Sequence, residues 1–349
     1  ERIRVNDDEI SQAEVVELAE ELRAHAAVAD IALTFFEFVT VMAFVHFARR
    51  QVDIAVVEVG LGGRLDATNL VRPLVSIITT ISKDHEAYLG ADLVSIAQEK
   101  GGIIKERVPV VCGDLPKEAL LPISAIAVSK NAQLYVLKRD FFFSLKNGES
   151  FDYKGVRWNF EDLSVALRGR HQRANAALAL CALEMVAQGF PVAERTIRDG
   201  LHKVTWPGRF EVMGSRPTVI LDGAHNGEGV RALIEELRAF RGARKVKMLF
   251  AVMDDKDWGS MLDALAGVAD EIVLSRVAME RSADPHRLAA ALGDKSPHCV
   301  IENSRTAFGW LLDNASGDDI VVVAGSLYLL GEIRPMVVAQ MDSAEPAQP

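Results

Sequence analysis

An α/β protein in two lobes is what this sequence predicts, and three observations carry the prediction. Short, almost wholly apolar runs alternate with helix-patterned segments along most of the chain, as parallel strands buried on both faces require. One such run, Val75 to Ile81, leads to Asp84-His85. Another, Thr218-Val219-Ile220-Leu221, leads to Asp222-Gly223-Ala224-His225-Asn226. Ligands of open α/β sheets sit outside the carboxyl ends of the strands, so two strand-end clusters point to an active site in a cleft between domains.

The elements follow in order. The opening Glu1 to Val5 reads as a strand entered midway, so the chain is expected to be a fragment. Ile10 to Ala29 has apolar residues on one helical face, with Ser11 or Asp8 as caps, and Phe35 to Arg49 is a second, more apolar helix. Asp53 to Val59 is β-branched and apolar almost throughout and is expected as a buried parallel strand, ending in Gly60-Leu61-Gly62-Gly63-Arg64. Leu93 to Lys100 reads as a helix and Val108 to Cys112 as a strand. Phe141 to Leu145, Phe151 to Tyr153 and Val165 to Leu167 read as short antiparallel strands, with Asn147-Gly148 as a hairpin turn, forming an excursion on the first domain. Helices follow over His171 to Gln188 and Ala193 to Gly200. Beyond a boundary at Trp206-Pro207-Gly208-Arg209, strands are expected near Val219, over Val246 to Val252, Ile272 to Leu274 and Ile320 to Ala324, with helices between them. Met341 to Pro349 is polar and expected to be disordered.

Composition bounds the function. With 349 residues and 49% hydrophobic content the chain can bury two cores. A net charge of -10 opposes a non-specific grip on nucleic acid or an anionic membrane. No apolar stretch reaches spanning length. Cys112, Cys181 and Cys299 are too scattered for a disulfide framework, so small core residues in a reducing, cytoplasmic setting are expected.

Several polar residues stand where such a fold does chemistry. Glu58 interrupts its apolar run; it either holds a basic residue or amides, or binds Mg²⁺ together with His85. The glycine cluster at 60–63 is a tight turn or a place of close ligand approach, and the P-loop pattern G-x-x-x-x-G-K-[ST] occurs nowhere in the chain. Lys100 and Lys105 are helix-end or phosphate-linked cations, and spacing does not choose. Asn175, in the first turn of an Ala/Leu-rich helix, either caps or meets a nucleobase edge. Arg209 is a phosphate clamp or an ion-pair partner. His225 is a candidate base, but Gly223-Ala224-His225 is no nucleophile elbow, so a Ser-His-Asp hydrolase is unsupported.

These motifs resemble the folylpolyglutamate synthase/dihydrofolate synthase family of Mur-type ligases. The likeness rests on Thr34 to Thr40, Glu58 to Asn69, Ile81 through Asp84-His85 to Leu89-Gly90, Ile96 to Lys100 and Gly169 to Asn175. It continues through Pro207 to Phe210, Leu221 to Asn226 and Gly325 to Tyr328. The resemblance implies a Mur ligase-type central ATP-binding domain over 1–207, truncated at its N-terminus, then a smaller Rossmann-like ligase domain over 208–340 and a tail at 341–349. It implies an ATP- and Mg²⁺-dependent enzyme that converts a folate or dihydropteroate carboxylate to an acyl phosphate, which the amino group of L-glutamate attacks. Small-molecule partners and a monomer are expected, with neither nucleic acid nor membrane. Carried over by residue, Glu58 and His85 are implied magnesium ligands and Lys100 a carbamylated lysine. Asn175, Arg209 and Asp222 are implied ATP contacts, and His225, Ser326 and Asn226 implied handlers of glutamate. Arg2, Arg4, Phe36 and Glu37 lie where pterin-facing elements begin. The sequence departs from the family at Ser82-Lys83, at Gly101-Gly102, at Gly227 and, above all, in having no P-loop. Weak or absent ligase activity is therefore expected of these 349 residues. The rival readings are a peptidoglycan Mur ligase and a non-catalytic folate- or nucleotide-binding protein.

Overall fold

In the computed structural model, residues 2–82, 89–90, 92–146 and 150–344 are described. They fall into two compact units. One comprises Glu1–Phe142, Gly155–Trp158 and Leu178–Pro191; the other comprises Phe143–Lys154, Asn159–Ala177 and Val192–Pro349. By contacts the antiparallel excursion groups with the second unit.

The first unit opens with a two-residue hairpin, β1 (Arg4–Val5) and β2 (Asp8–Glu9), before helices α1 (Gln12–Ala29) and α2 (Phe35–Arg49). Both helices start in full capping boxes. Ser11 and Thr34 accept from the third helical amide, and Glu14 and Glu37 reach back to the cap. A small core of Ile3, Leu18, Leu22 and Met42 lies between them. A three-stranded parallel sheet follows, β3 (Ser76–Ile78), β4 (Val110–Cys112) and β5 (Leu134–Val136), in that order. It packs on α3 (Leu93–Gly101) and α4 (Lys117–Ser129) through Ile78, Val110, Cys112, Ile96, Ile123 and Ala127. The pattern does not announce α4, because Pro122 lies inside it. Burial among these apolar neighbours pushes the Cys112 thiol up to about 12, so it is a core residue.

One expected strand is missing. Asp53 to Val59 runs without a ladder partner among the described residues, and it is far from buried: Ile54 is 50% and Val56 95% exposed. Its composition suits a pleated strand, but a strand exists only through a hydrogen-bonded neighbour, and no described segment aligns with it.

The second unit holds β6 (Phe142–Leu145), β7 (Ser150–Lys154) and β8 (Asn159–Ser164), a three-stranded sheet in which β7 and β8 are antiparallel. The third strand lies earlier than Val165–Leu167. Phe160 and Leu163 turn inward across a register shift, while the later apolar triplet only leads to the next helix. The expected Asn147-Gly148 turn lies outside the described residues. Helix α5 (Arg170–Val186) belongs to this unit through Ala177 and to the first unit from Leu178 on, and after α6 (Glu194–Lys203) comes the main sheet: β9 (Glu211–Met213), β10 (Thr218–Leu221), β11 (Val246–Phe250), β12 (Glu271–Arg276), β13 (His298–Asn303) and β14 (Ile320–Ala324). Its order is β13-β12-β11-β14-β10-β9, parallel except for β9.

Alternation along its strands feeds two cores. Ile220, Met248, Phe250, Leu274 and Val322 meet α7 (Gly227–Arg241), α8 (Trp258–Leu265) and α9 (Pro285–Leu292). Leu221, Leu249, Val273 and Val323 meet α10 (Ser304–Asn314) and α11 (Leu327–Ala344) on the opposite face. Helix α11 carries through Met341 to Ala344, so the start of the expected disordered tail is helical: elongating an existing helix needs no new nucleus.

Candidate functional site

Three short connections fold into one cluster at the carboxyl end of β10 and β14. The amide of Asp222 donates to Val323 O at 3.0 Å, and Gly325 N donates to Ala224 O at 2.9 Å, so Ser326 stands beside the Ala224-His225 loop. Gly223 N donates to Gly208 O at 2.8 Å, which brings in the turn bearing Arg209. The Asp222 carboxylate then accepts from Phe210 N and Ala224 N, each at 2.8 Å, joining both segments. A side chain at Gly223 would collide with Arg209 Nη1, 2.7 Å from where its Cβ would sit, so glycine lets the guanidinium lie across the loop. Burial raises the Asp222 carboxyl above its ordinary value, opposed by those two amides and by the charges of Arg209 and His225.

His225 is half-buried, with Nδ1 2.8 Å from Gly223 O. A carbonyl only accepts, so Nδ1 carries the proton, and in the neutral ring Nε2 offers a lone pair. Ser326 is 3% exposed and its Oγ accepts from Tyr328 N at 3.1 Å. Asn226 Oδ1 accepts from Gly229 N at 2.8 Å and caps α7. The same unit holds the start of α5, where Asn175 is exposed and donates to Gln172 Oε1 at 3.3 Å. His171 stands there too. Partial desolvation, then the guanidinium charges of Arg209 and Arg173, hold its imidazole below the ordinary value. Asp222, Arg209, His225 and Ser326 thus converge, and Asn175 lies at the start of α5 in the same unit.

The first unit gives a different result. Asp66 accepts from Gly60 N at 3.0 Å, Leu61 N at 2.9 Å and Thr68 N at 2.9 Å, folding the glycine loop around one carboxylate. Arg64 donates through Nε and Nη2 to Glu99, and a Cβ on Gly63 would lie 2.9 Å from Glu99 O. Close packing on α3 therefore accounts for Gly63 and Arg64, while Gly60 packs against Phe36 of α2. Glu58 is exposed, which corrects the expectation of a carboxylate inside the core: the run meant to bury it has no ladder partner among the described residues. His85 lies outside the described residues. Among the described residues no three His, Cys, Asp or Glu side chains come together as a metal cage. Lys100 is half-buried in the last turn of α3, and Lys105 Nζ donates to Asn69 O at 2.8 Å as an anchor for the loop.

The four pterin-facing candidates also have structural work. Arg2 lies 5.9 Å from the centre of the Phe35 ring, Arg4 pairs with Glu9 at 2.7 Å, and the Phe36 ring covers Gly60. Glu37 closes the α2 capping box. Sequence reasoning passed over Asp66 and Glu211. Their signal was an acid within a short polar-glycine stretch, which reads equally well as a solvated turn. A separate cavity of about 510 Å³ beyond β12 and β13 is lined by residues such as Arg276, Glu302 and Glu332 and touches none of the expected site residues.

Family models match in two stretches: the Mur ligase middle domain over 12–183 and the Mur ligase glutamate ligase domain over 208–327. The Bacillus subtilis dihydrofolate synthase/folylpolyglutamate synthase is 34% identical, over 96% of this chain and 80% of its own length. The chain belongs to the dihydrofolate synthase/folylpolyglutamate synthase family. The Escherichia coli member is 32% identical over 97% of this chain and 78% of its own length. A solved E. coli FolC in complex with DHPP and ADP superposes with a TM-score of 0.89 at 30% identity, covering 97% of this chain and 78% of that one. The Thermotoga maritima folylpolyglutamate synthase gives a TM-score of 0.84 at 36% identity, covering 97% and 79%. The two-domain α/β architecture of the Mur ligases is thus shared, and no described helix is long and apolar enough to cross a membrane.

Proposed function

We propose that this family member joins L-glutamate to a dihydropteroate or reduced folate carboxylate at the expense of ATP, through an acyl phosphate. A carboxylate resists amine attack until one oxygen becomes a phosphate leaving group, and the charge that builds during transfer needs fixed cations and donors. The observation that carries the reading is the strand-end cluster, in which Asp222 fixes the Arg209 turn while His225 and Ser326 stand beside it. In this reading Arg209 meets phosphate oxygens, Asp222 and Asn175 serve the nucleotide, and His225 Nε2 accepts a proton from the incoming ammonium. Ser326 and Asn226 complete the glutamate side. Arg2, Arg4, Phe36 and Glu37 are assigned to the pterin side, Glu58 and His85 to Mg²⁺, and Lys100 to a carbamate. Of these, Arg4, Glu37, Asn226, Asp222, Asn175 and Ser326 must give up or share a present hydrogen-bond partner.

No P-loop signature occurs in the 349 residues, so the reading includes weak or no turnover by this chain alone. The test is a chimera that adds the part of the Bacillus subtilis relative left uncovered by the match. It should release phosphate only when glutamate is present with dihydropteroate or tetrahydrofolate, and not with a UDP-linked acceptor. Release with the UDP-linked acceptor would favour a peptidoglycan ligase. Binding of ATP or folate without turnover in the chimera would favour a binding protein. Near-normal glutamate addition by the 349-residue chain would refute the claim of weak activity.

A further inference from the structure

We infer that Glu211 and Arg334 are a positioning pair for the turn that carries Arg209. The turn has one unfavourable backbone position: Gly208 takes φ +74°, which glycine permits, but Phe210, a bulky residue, has φ +44° in the left-handed region. Such a turn persists only where its surroundings over-determine it. Asp222 holds one end through Phe210 N. Glu211 holds the other, its Oε2 accepting from Gly208 N at 2.9 Å.

Glu211 is itself clamped. Arg334 of α11 donates through Nε to Oε1 at 3.0 Å and to Oε2 at 3.1 Å, and through Nη2 to Oε1 at 2.8 Å. The fork engages both carboxylate oxygens, including the one that takes the Gly208 amide, so the carboxylate cannot swing away without breaking it. Helix α11 also closes on the turn directly: a Cβ on Gly208 would lie 2.7 Å from Leu330 Cδ1. Glu211 pairs with Leu221 across β9 and β10, next to Asp222, so two carboxylates at one sheet edge grip the two ends of one three-residue turn. The third turn of α11 and the Arg209 turn are therefore registered through one ion pair. Displacement of a clamping arginine by about 1 Å is enough to cost a large factor in rate. The inference rests on the ligase reading only for what Arg209 is held to meet.

The test compares Glu211→Ala, Glu211→Gln, Arg334→Lys and the charge swap Glu211→Arg with Arg334→Glu, in the 349-residue chain without ligand. Amide exchange and the Gly208 amide resonance are read by NMR. Glu211→Ala should speed exchange at Gly208 to Phe210 by roughly tenfold, the loss of about one hydrogen bond, with Ile220 and Val322 unchanged. Glu211→Gln keeps an acceptor and should keep most of the protection, and Arg334→Lys should lie between. The swap should recover thermal stability but not Gly208 protection, since a guanidinium offers no acceptor. A swap that restores both, or unchanged exchange in Glu211→Ala, would show the pair to be an ordinary structural bridge and overturn the inference. If Glu211→Ala fails to fold, Glu211→Gln against the swap makes the same decision. No readout needs nucleotide or folate, so this pair and the ligase reading fail separately.

Discussion

The two parallel sheets of this protein are built from similar residues and are covered very differently. In the second unit every residue of β10 and β14 is buried, and helices lie on both faces of the sheet. In the first unit, Ile77 in edge strand β3 is 38% exposed and the nearby-in-sequence run at 53–59 has no ladder partner among the described residues. Helix α2 is apolar nearly all round, yet only Thr40, Met42 and His46 are buried in it. Parallel strands and all-apolar helices are stable when both faces are covered. The difference teaches that an apolar run marks a demand for burial, and that the demand is met only where the rest of the fold supplies neighbours.

The largest break in this comparison comes from paired truncations. Ile220→Ala should destabilise the protein by about 2–5 kcal/mol in urea titration, as a fully buried strand residue losing its side chain to a cavity. Val56→Ala should change stability by less than about 0.5 kcal/mol. Equal effects would mean that Val56 is covered in solution. Next in size is Asp66→Ala, which orphans the amides of the 60–68 loop and should cost about 1–3 kcal/mol in the same titration. Hydrogen exchange sharpens the contrast without mutation: amides at 53–59 should exchange far faster than those of Val219 to Leu221.

Smaller effects should appear with pH. Hydrogen bonds from Thr34 hold the Glu37 carboxyl below its ordinary value of 4.5, and those from Ser11 do the same for Glu14. A depressed carboxyl stabilises the fold above its unfolded value and loses that contribution as pH falls through the folded one. Acid below 4.5 should therefore loosen α1 and α2, seen as fading far-UV helicity that Glu37→Gln partly mimics at neutral pH. His171 should titrate below 6.5 in a histidine NMR titration, and Arg209→Gln should move it upward.

The sequence by itself determined the helices with clear caps and periodicity. It fixed α2 as Phe35–Arg49 and the buried strands of the second unit to within a few residues, because local propensity and burial agree there. It also located the Asp222-to-Asn226 segment at a strand end, since apolar residues giving way to acid, glycine and imidazole is a local pattern. Tertiary structure decided the rest. Whether 53–59 forms a strand depends on a hydrogen-bonded neighbour, and whether Arg64 faces a ligand depends on Glu99, 35 residues on. The roles of Glu211 and Arg334, 123 residues apart, exist only through the fold that brings a strand and a helix to the same turn. Side-chain chemistry is written residue by residue, but pairing belongs to the folded chain, and no local window contains both partners.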